Sequence, residues 1–270
     1  MILSRCGIAA LLLSSPPGVS AAAPTETVRQ EREVLVNGVA ERWRLKWLGP
    51  VKPACAATEL ESAMSCPCAG FAYGEEGRLT LERLMPNGSS EQLDLGQFFD
   101  ETDGASEPGH GILRRWNRDS KDPSENSGTS SLRQKFVAQV KQRPEADVMD
   151  MQDFTHEGAK TGFLLQVGNA PCGRNMMVLI GVSKKNPHLH AFTSLAHPKR
   201  PLLLQRSHWN ALLKAKTSAS DIALPCGDHG SETEIEKSVT VRDGVFEVSA
   251  REYACRDEGG RGKLLHRTAE

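Results

Sequence analysis

The amino-acid sequence predicts a mainly β fold at the margin of the α+β class, built from antiparallel hairpins and sheets with three short helices and stabilised by disulfide bonds. The first supporting observation is a pair of two-residue turn signals, Asn37-Gly38 and Asp243-Gly244, each between short runs of β-forming residues. The second is the alternation of apolar and polar residues beside those turns. The third is cysteine usage: of seven cysteines, all but Cys6 lie beyond a predicted signal peptide, and an even number is typical of disulfide-bonded exported domains.

Composition narrows the classes of function. The chain has 270 residues, of which 39% are hydrophobic and 25% charged, as in ordinary globular domains. Its 33 Lys and Arg residues nearly balance 34 Asp and Glu residues, whereas a nucleic-acid-binding protein needs a surplus of positive charge. We therefore expect no nucleic-acid partner.

Residues 1–22 have the pattern of a signal peptide. Arg5 precedes an apolar run at 6–13, and Val19-Ser20-Ala21 fits the small-residue cleavage rule. The run is too short to span a bilayer, and no longer one follows. The sequence predicts a periplasmic or secreted protein that does not span the membrane.

Residues 23–99 are predicted to form an N-terminal β-rich half. After a polar, mobile leader at 24–32, the Asn37-Gly38 hairpin continues into a strand that Gly49-Pro50 ends. That strand has two faces: an apolar one of Trp43, Leu45 and Trp47, and a solvated basic one of Arg42, Arg44 and Lys46.

The rest of this half is predicted to hold a helix and a second hairpin. Thr58 and Glu61 have the spacing of a capping box, so a short helix is expected to end near Ser65. The hairpin is expected to pair 71–73 with 79–81 around a turn at 74–77.

Residues 100–131 are predicted to be a mobile loop or linker. The segment is rich in small and polar residues, and 121–131 contains no aliphatic side chain, so it has little surface to bury. Arg114, Arg115 and Trp116 interrupt it and are the predicted interaction residues.

Residues 132–270 are predicted to form a C-terminal β-rich half that packs with the N-terminal half as one domain. The expected elements are a helix from Ser131 to Pro144, strands at 163–167, 177–182, 189–193 and 202–204, a short helix from Ser207, the Asp243-Gly244 hairpin and a frayed basic tail from Gly259. In the hairpin, a two-residue turn places Val239, Val241, Phe246 and Val248 on one face.

The cysteines are predicted to be structural. Cys226 and Cys255 flank the last hairpin and are predicted to form a disulfide. Two further bonds are expected among Cys55, Cys66, Cys68 and Cys172, with the pairing open. Because Cys66 and Cys68 would close a strained ring, each is expected to bond elsewhere, and a bond from Cys172 to the 55–68 cluster would join the two halves.

One acidic segment has the spacing of a calcium loop. Asp153, Thr155 and Glu157 supply oxygens at positions 1, 3 and 5, a glycine occupies position 6, and Thr161 supplies a hydroxyl at position 9. Over residues 147–165 the segment resembles the acidic loop of FG-GAP or VCBS-type repeats, which implies a turn before a strand and an ion site. Threonine replaces two carboxylate or amide ligands of that pattern, at 155 and 161. The alternative is therefore a turn that has lost its ion.

A second candidate metal site is His188 with His190. Residues i and i+2 share a face of a strand, so two imidazoles could bind one Zn²⁺ or Cu²⁺. The alternative is a pair of surface histidines at a strand end.

The sequence contains none of the nucleophile, zincin, Walker or dinucleotide motifs that identify common catalytic sites. We therefore expect a non-catalytic envelope or secreted module that binds a protein, a glycan or a surface, with no cofactor apart from possible calcium. The alternative is a metal-binding protein or hydrolase that uses His188, His190 and the loop 153–161.

Overall fold

The computed structural model describes residues 25–54, 71, 74–100, 102, 105–116, 142–170, 174–215 and 217–270. Within them thirteen strands form three antiparallel sheets. The strands are β1 Glu26–Val36, β2 Val39–Ala54, β3 Gly74–Leu84, β4 Ser90–Asp94, β5 Gly111–Arg114, β6 Gly162–Ala170, β7 Arg174–Gly181, β8 His190–Ala191, β9 Leu203–Gln205, β10 Ser218–Leu224, β11 Thr233–Arg242, β12 Val245–Cys255 and β13 Arg261–Ala269. The mainly β class predicted from the sequence is confirmed.

The described helices are few and short. They are α1 Gln97–Asp100, α2 Arg206–Lys214 and a 3-10 helix at Asp228–Gly230. Helix α2 confirms the helix predicted from Ser207, and it buries Trp209 and Leu212. The predicted helix at 58–65 lies outside the described residues, as does nearly all of the one at 131–144.

The first sheet has the strand order β1-β2-β3-β4, with β5 also paired to β3. Its first hairpin is confirmed: Val36 pairs with Val39, and Asn37 and Gly38 take φ angles of 51° and 81°. Strand β1 begins at Glu26, so the predicted mobile leader is mostly strand. Strand β2 also continues past Gly49-Pro50, where the register with β3 shifts between Leu48 and Lys52.

The predicted second hairpin is wrong, because residues 74–84 form one uninterrupted strand. Its glycines mark close packing and not a turn. A Cβ at Gly77 would lie 3.3 Å from the Trp47 ring, and one at Gly74 would lie 2.8 Å from the Ile112 side chain.

The predicted linker 100–131 contains ordered structure where it is described. Residues 111–114 form β5, and Ile112 and Leu113 are buried against the first sheet. Residues 117–131 lie outside the described residues.

The middle sheet has the order β6-β7-β8 with β9 on β7, and the third sheet has the order β10-β11-β12-β13. In the third sheet Val241 pairs with Phe246 and Val239 with Val248, as predicted, and all four are buried. The predicted frayed tail is instead β13. Gly259 and Gly260, with φ angles of 84° and 80°, turn the chain back so that it pairs with β12.

The two apolar cores lie on opposite faces of the middle sheet. Val178 and Ile180 of β7 pack with Trp43, Leu45 and other residues of the first sheet. Their neighbours Met177 and Leu179 point the other way, towards α2 and the third sheet. This alternation along one strand makes the middle sheet the common layer of both cores.

The disulfide predicted between Cys226 and Cys255 is present, with 5.6 Å between the Cα atoms. It closes the open end of the β11–β12 hairpin, where the Cys255 amide also donates to the Glu232 carbonyl. Cys55, Cys66, Cys68 and Cys172 lie outside the described residues. Within the described part of the chain, no helix is long and apolar enough to cross a membrane.

The predicted apolar face of β2 is confirmed, but its basic face is not simply solvated. Lys46 is buried, and its ammonium lies 3.0 Å from both Glu26 and Glu82. Arg44 lies 2.6 Å from Glu31 on β1. Cross-strand carboxylates therefore neutralise this face.

Candidate functional site

A cleft of about 490 Å³ opens where the first sheet, the middle sheet and α2 meet. Strand β5 and Phe71 form one wall, residues 146–154 a second, and β6, β7 and α2 the third. Its volume lies within the roughly 300–1,000 Å³ typical of small-molecule sites. The wall combines apolar side chains with guanidinium, carboxylate and amide groups.

The predicted interaction residues lie at this cleft. Arg114 and Trp116 line it. Arg115 does not, but its guanidinium carbon lies 5.1 Å from the centroid of the Trp116 ring, and one of its nitrogens lies 3.5 Å from the Glu75 carboxylate. The backbone here is fixed because Trp116 bridges to Glu145 and the Ala146 amide donates to the Arg115 carbonyl at 2.8 Å. Arg115 therefore contacts the indole of Trp116 and also an acidic residue of β3, Glu75.

Helix α2 supplies a second guanidinium. Arg206, Asn210 and Leu213 are spaced by four and three residues, so one face of the helix lines the cleft. Arg206 makes no ion pair with any described residue. Withdrawal from water, and next the repulsion from Arg114, lower the pKa of Arg206, while Asp150 acts in the opposite direction.

The acceptor groups of the cleft differ in how far they are satisfied. The Asp147 carboxylate pairs with Arg32 at 2.8 Å and accepts from Gln30 at 2.5 Å. Asp150 accepts from the Gln152 amide at 2.8 Å. The Oδ1 atom of Asn175 is buried and has no hydrogen-bond partner. Such an atom lacks the donor that it would have in water.

The predicted calcium loop is only partly assembled around a common centre. The two carboxylate oxygens of Asp153 accept from the amides of Glu157 and Gly158, at 3.0 and 2.8 Å. The Thr155 hydroxyl donates to the Glu157 carboxylate at 3.2 Å. Thr161 instead donates its hydroxyl to the Val182 carbonyl at 2.9 Å. The structure thus groups the first three residues in one turn and directs the fourth to the strand.

The two predicted histidine ligands have different partners. His188 Nδ1 lies 2.6 Å from a Glu91 oxygen, whereas His190 Nδ1 contacts the His188 carbonyl at 2.7 Å. The His190 ring packs 4.4 Å from the Phe192 ring, and burial lowers the pKa of His190. Against the opposing effect of burial, hydrogen bonds from His188, the Leu189 amide and Arg83 lower the pKa of Glu91.

The sequence does not predict one cluster of residues that could bind a metal ion, formed by Glu76, Glu107 and His110. The two imidazole nitrogens each lie 3.6 Å from one carboxylate. Lys52 already supplies a cation, 2.5 Å from Glu107 and 3.6 Å from Glu76. Ser106 satisfies the buried Glu76 carboxylate further. Lys52 therefore neutralises the two carboxylates, whereas the buried Nδ1 atom of His110 has no hydrogen-bond partner.

The sequence also gave no signal for Arg206, Asn175 or Asp150. These residues come from a helix, a strand and a connecting segment far apart in the chain, and no local spacing relates them. Only the packing of the middle sheet against both its neighbours brings them to Trp116.

Comparison with protein-family models, with curated proteins and with solved structures gives no significant match to this chain.

Proposed function

We propose that this protein is an exported, non-catalytic binding module, periplasmic or secreted, whose ligand is a glycan held in the cleft. The observation that carries the proposal is the convergence of Trp116 with amide, carboxylate and guanidinium groups around about 490 Å³. A sugar ring presents a C–H face that packs on an indole, and hydroxyls that need both donors and acceptors. The cleft offers both kinds of group.

Export is supported by the sequence and by one covalent bond. Residues 1–22 have the three-part pattern of a signal peptide. The Cys226–Cys255 disulfide is the kind of link that persists in oxidising compartments.

Binding is favoured over hydrolysis because of the carboxylates. Most glycoside hydrolases use two carboxyl groups that act on one bond. Asp147 is held by Arg32 and Gln30, which leaves Asp150 as the one carboxylate of the described lining without a guanidinium partner.

The test is a glycan-array and calorimetry screen of the mature protein and two variants. Trp116→Ala should lose at least tenfold in affinity for any glycan that the protein binds, because the stacking surface is removed. Leu265→Ala is the matched control, since Leu265 is an exposed side chain on β13 in the third sheet. The proposal fails if the protein retains no glycan, or if Trp116→Ala binds as tightly as the unaltered chain.

A second candidate function is metal binding or metal-dependent hydrolysis through His188, His190 and the loop 153–161. One observation favours it: side-chain oxygens of Asp153, Thr155 and Glu157 lie within one turn, joined by contacts of 3.2 and 3.3 Å. Calorimetric titration of chelator-treated protein with millimolar calcium separates the candidates. Saturable heat that Asp153→Asn abolishes supports this second function, and no heat removes it.

A further inference from the structure

Helix α2 buries a histidine, His208, that does not line the cleft. The residue is 2% exposed, and neither of its ring nitrogens has a hydrogen-bond partner of good geometry among the described residues. A buried polar atom normally has such a partner, because its hydrogen bonds to water are lost on burial. A neutral imidazole tolerates this place at a modest cost, whereas an imidazolium has a full charge and two N–H donors that require acceptors.

The groups around His208 offer an imidazolium little compensation. From the third sheet, β10 presents Asp221 and β11 presents Lys237, which pair with each other in register. Glu270, after β13, lies 2.6 Å from the Lys237 ammonium. From the middle sheet, β7 and β9 present apolar side chains to α2. Burial, with Lys237 next, outweighs the attraction of Asp221 and Glu270, so the pKa of His208 is lowered.

The same helix forms one wall of the cleft. Arg206, Asn210 and Leu213 line the cleft, whereas His208 and Leu212 lie on the opposite, buried side of α2. The helix has nine residues, and a helix of that length is not stable in isolation. Its position therefore depends on packing, and a change on the buried side also moves the side that faces the cleft.

Contacts on the other sides of α2 hold it independently of His208. The Trp209 indole donates to the Met177 carbonyl of β7 at 3.3 Å, and the His156 Nε2 atom lies 3.1 Å from the Leu212 carbonyl. Towards the third sheet, the helix is held by the packing of its side chains. That contact is therefore the one that a charge on His208 weakens.

We propose that α2 is an acid-sensitive switch, in which a proton on His208 loosens the helix from the third sheet and so takes apart one wall of the cleft. The proton binds more readily where the ring reaches water, so acid favours the open arrangement. A role in releasing a glycan at low pH rests on the proposed function, whereas the movement of α2 does not.

The size of the effect follows from the titration of a histidine in water. In the open arrangement the ring should have a pKa of about 6.5, while burial lowers the pKa in the closed arrangement. The closed arrangement is therefore fully favoured above about pH 6.5 and becomes less favoured as the pH falls below it. Between pH 7.5 and 5.5 the open fraction should rise by roughly threefold to tenfold.

Hydrogen–deuterium exchange of the ligand-free mature protein at pH 7.5 and 5.5 tests the switch. After correction for the intrinsic effect of pH on exchange, the amides of α2 should lose roughly threefold to tenfold in protection. His208→Gln and His208→Met each remove the titrating ring and should reduce that change to less than about twofold. His156→Gln is the matched control, since His156 contacts the same helix, and it should keep the full change.

The other outcomes overturn the switch. Protection of α2 that is independent of pH in the unaltered chain does so even if neither His208 variant folds. A change that persists in a His208 variant, or that His156→Gln abolishes, assigns the pH dependence to another group. If the amides of β2 are no better protected than those of α2 at pH 5.5, the opening is global and not confined to the helix. Because no ligand is present, the glycan-array screen with Trp116→Ala decides the proposed function separately.

Discussion

An arginine of the first sheet and an arginine of the cleft differ in their ion pairs. On the first sheet, Arg83 is buried and meets Glu41 through two hydrogen bonds, of 2.6 and 2.7 Å. Its Nη1 group donates to Glu91 and to the Pro187 carbonyl. In the cleft, Arg206 lies at a helix N-terminus beside another arginine and forms no ion pair with any described residue.

The difference separates charges that hold the fold together from a charge available to a ligand. Removing a partner from the first kind leaves a buried charge uncompensated, which is costly. The side chain of Arg206 is exposed, so removing the second kind should change stability little. The size of a substitution's effect on stability therefore distinguishes the two regions.

The largest effect is expected at the buried pair. Glu41→Gln removes the bidentate carboxylate of Arg83 and leaves it only Glu91, at 3.1 Å. It should lower the free energy of unfolding by about 3 kcal/mol, which urea denaturation measures. Arg206→Gln is the comparison from the cleft and should not lower it. A loss below about 1 kcal/mol for Glu41→Gln would mean that the pair resembles a surface ion pair.

An intermediate loss in the free energy of unfolding is expected when the pH is lowered, because of His208 on α2. Burial is the main cause that lowers the pKa of His208, Lys237 adds to it, and Asp221 and Glu270 oppose it. The unfolded chain therefore takes up the proton first as the pH falls through about 6.5. Stability should be full above that pH and fall below it, by up to about 1.4 kcal/mol per pH unit.

His208→Gln should weaken this loss of stability between pH 7.5 and 5.5 without abolishing it, because His190 has a pKa lowered by burial as well. Urea denaturation at the two pH values provides the measurement. An unchanged pH dependence in the variant would show that His208 is not one of its sources.

The smallest effect is expected at the outer end of the Arg83 network. His188 contacts Glu91 at 2.6 Å, but its side chain is 76% exposed. Exposed pairs contribute about 0–1 kcal/mol, so His188→Ala should change the free energy of unfolding by less than about 1 kcal/mol at pH 7. A loss as large as that of Glu41→Gln would place His188 with the buried, structural charges.

The sequence predicted features that depend on adjacent residues. The Asn37-Gly38 and Asp243-Gly244 hairpins have a local signal, because few other residue pairs adopt two positive φ angles in succession. The Cys226–Cys255 bond follows from the register of the Asp243-Gly244 hairpin.

Prediction from the sequence fails where a residue's contact partner is distant in the chain. The prediction of a turn at Gly77 is wrong because the local sequence does not reveal the Trp47 ring beside it. The prediction of a solvated Lys46 is wrong because its partners, Glu26 and Glu82, belong to the two neighbouring strands. Of the cleft, only Arg114 and Trp116 were found, since they form a conspicuous group within a polar segment, whereas Arg206 and Asn175 have no local signature.

The central claim is that the cleft beside Trp116 is the binding site of a glycan. A crystal structure of the protein grown with a glycan that the array screen identifies tests it most directly. The account predicts the sugar ring against the Trp116 indole, inside the cleft. A glycan bound elsewhere on the protein would contradict it.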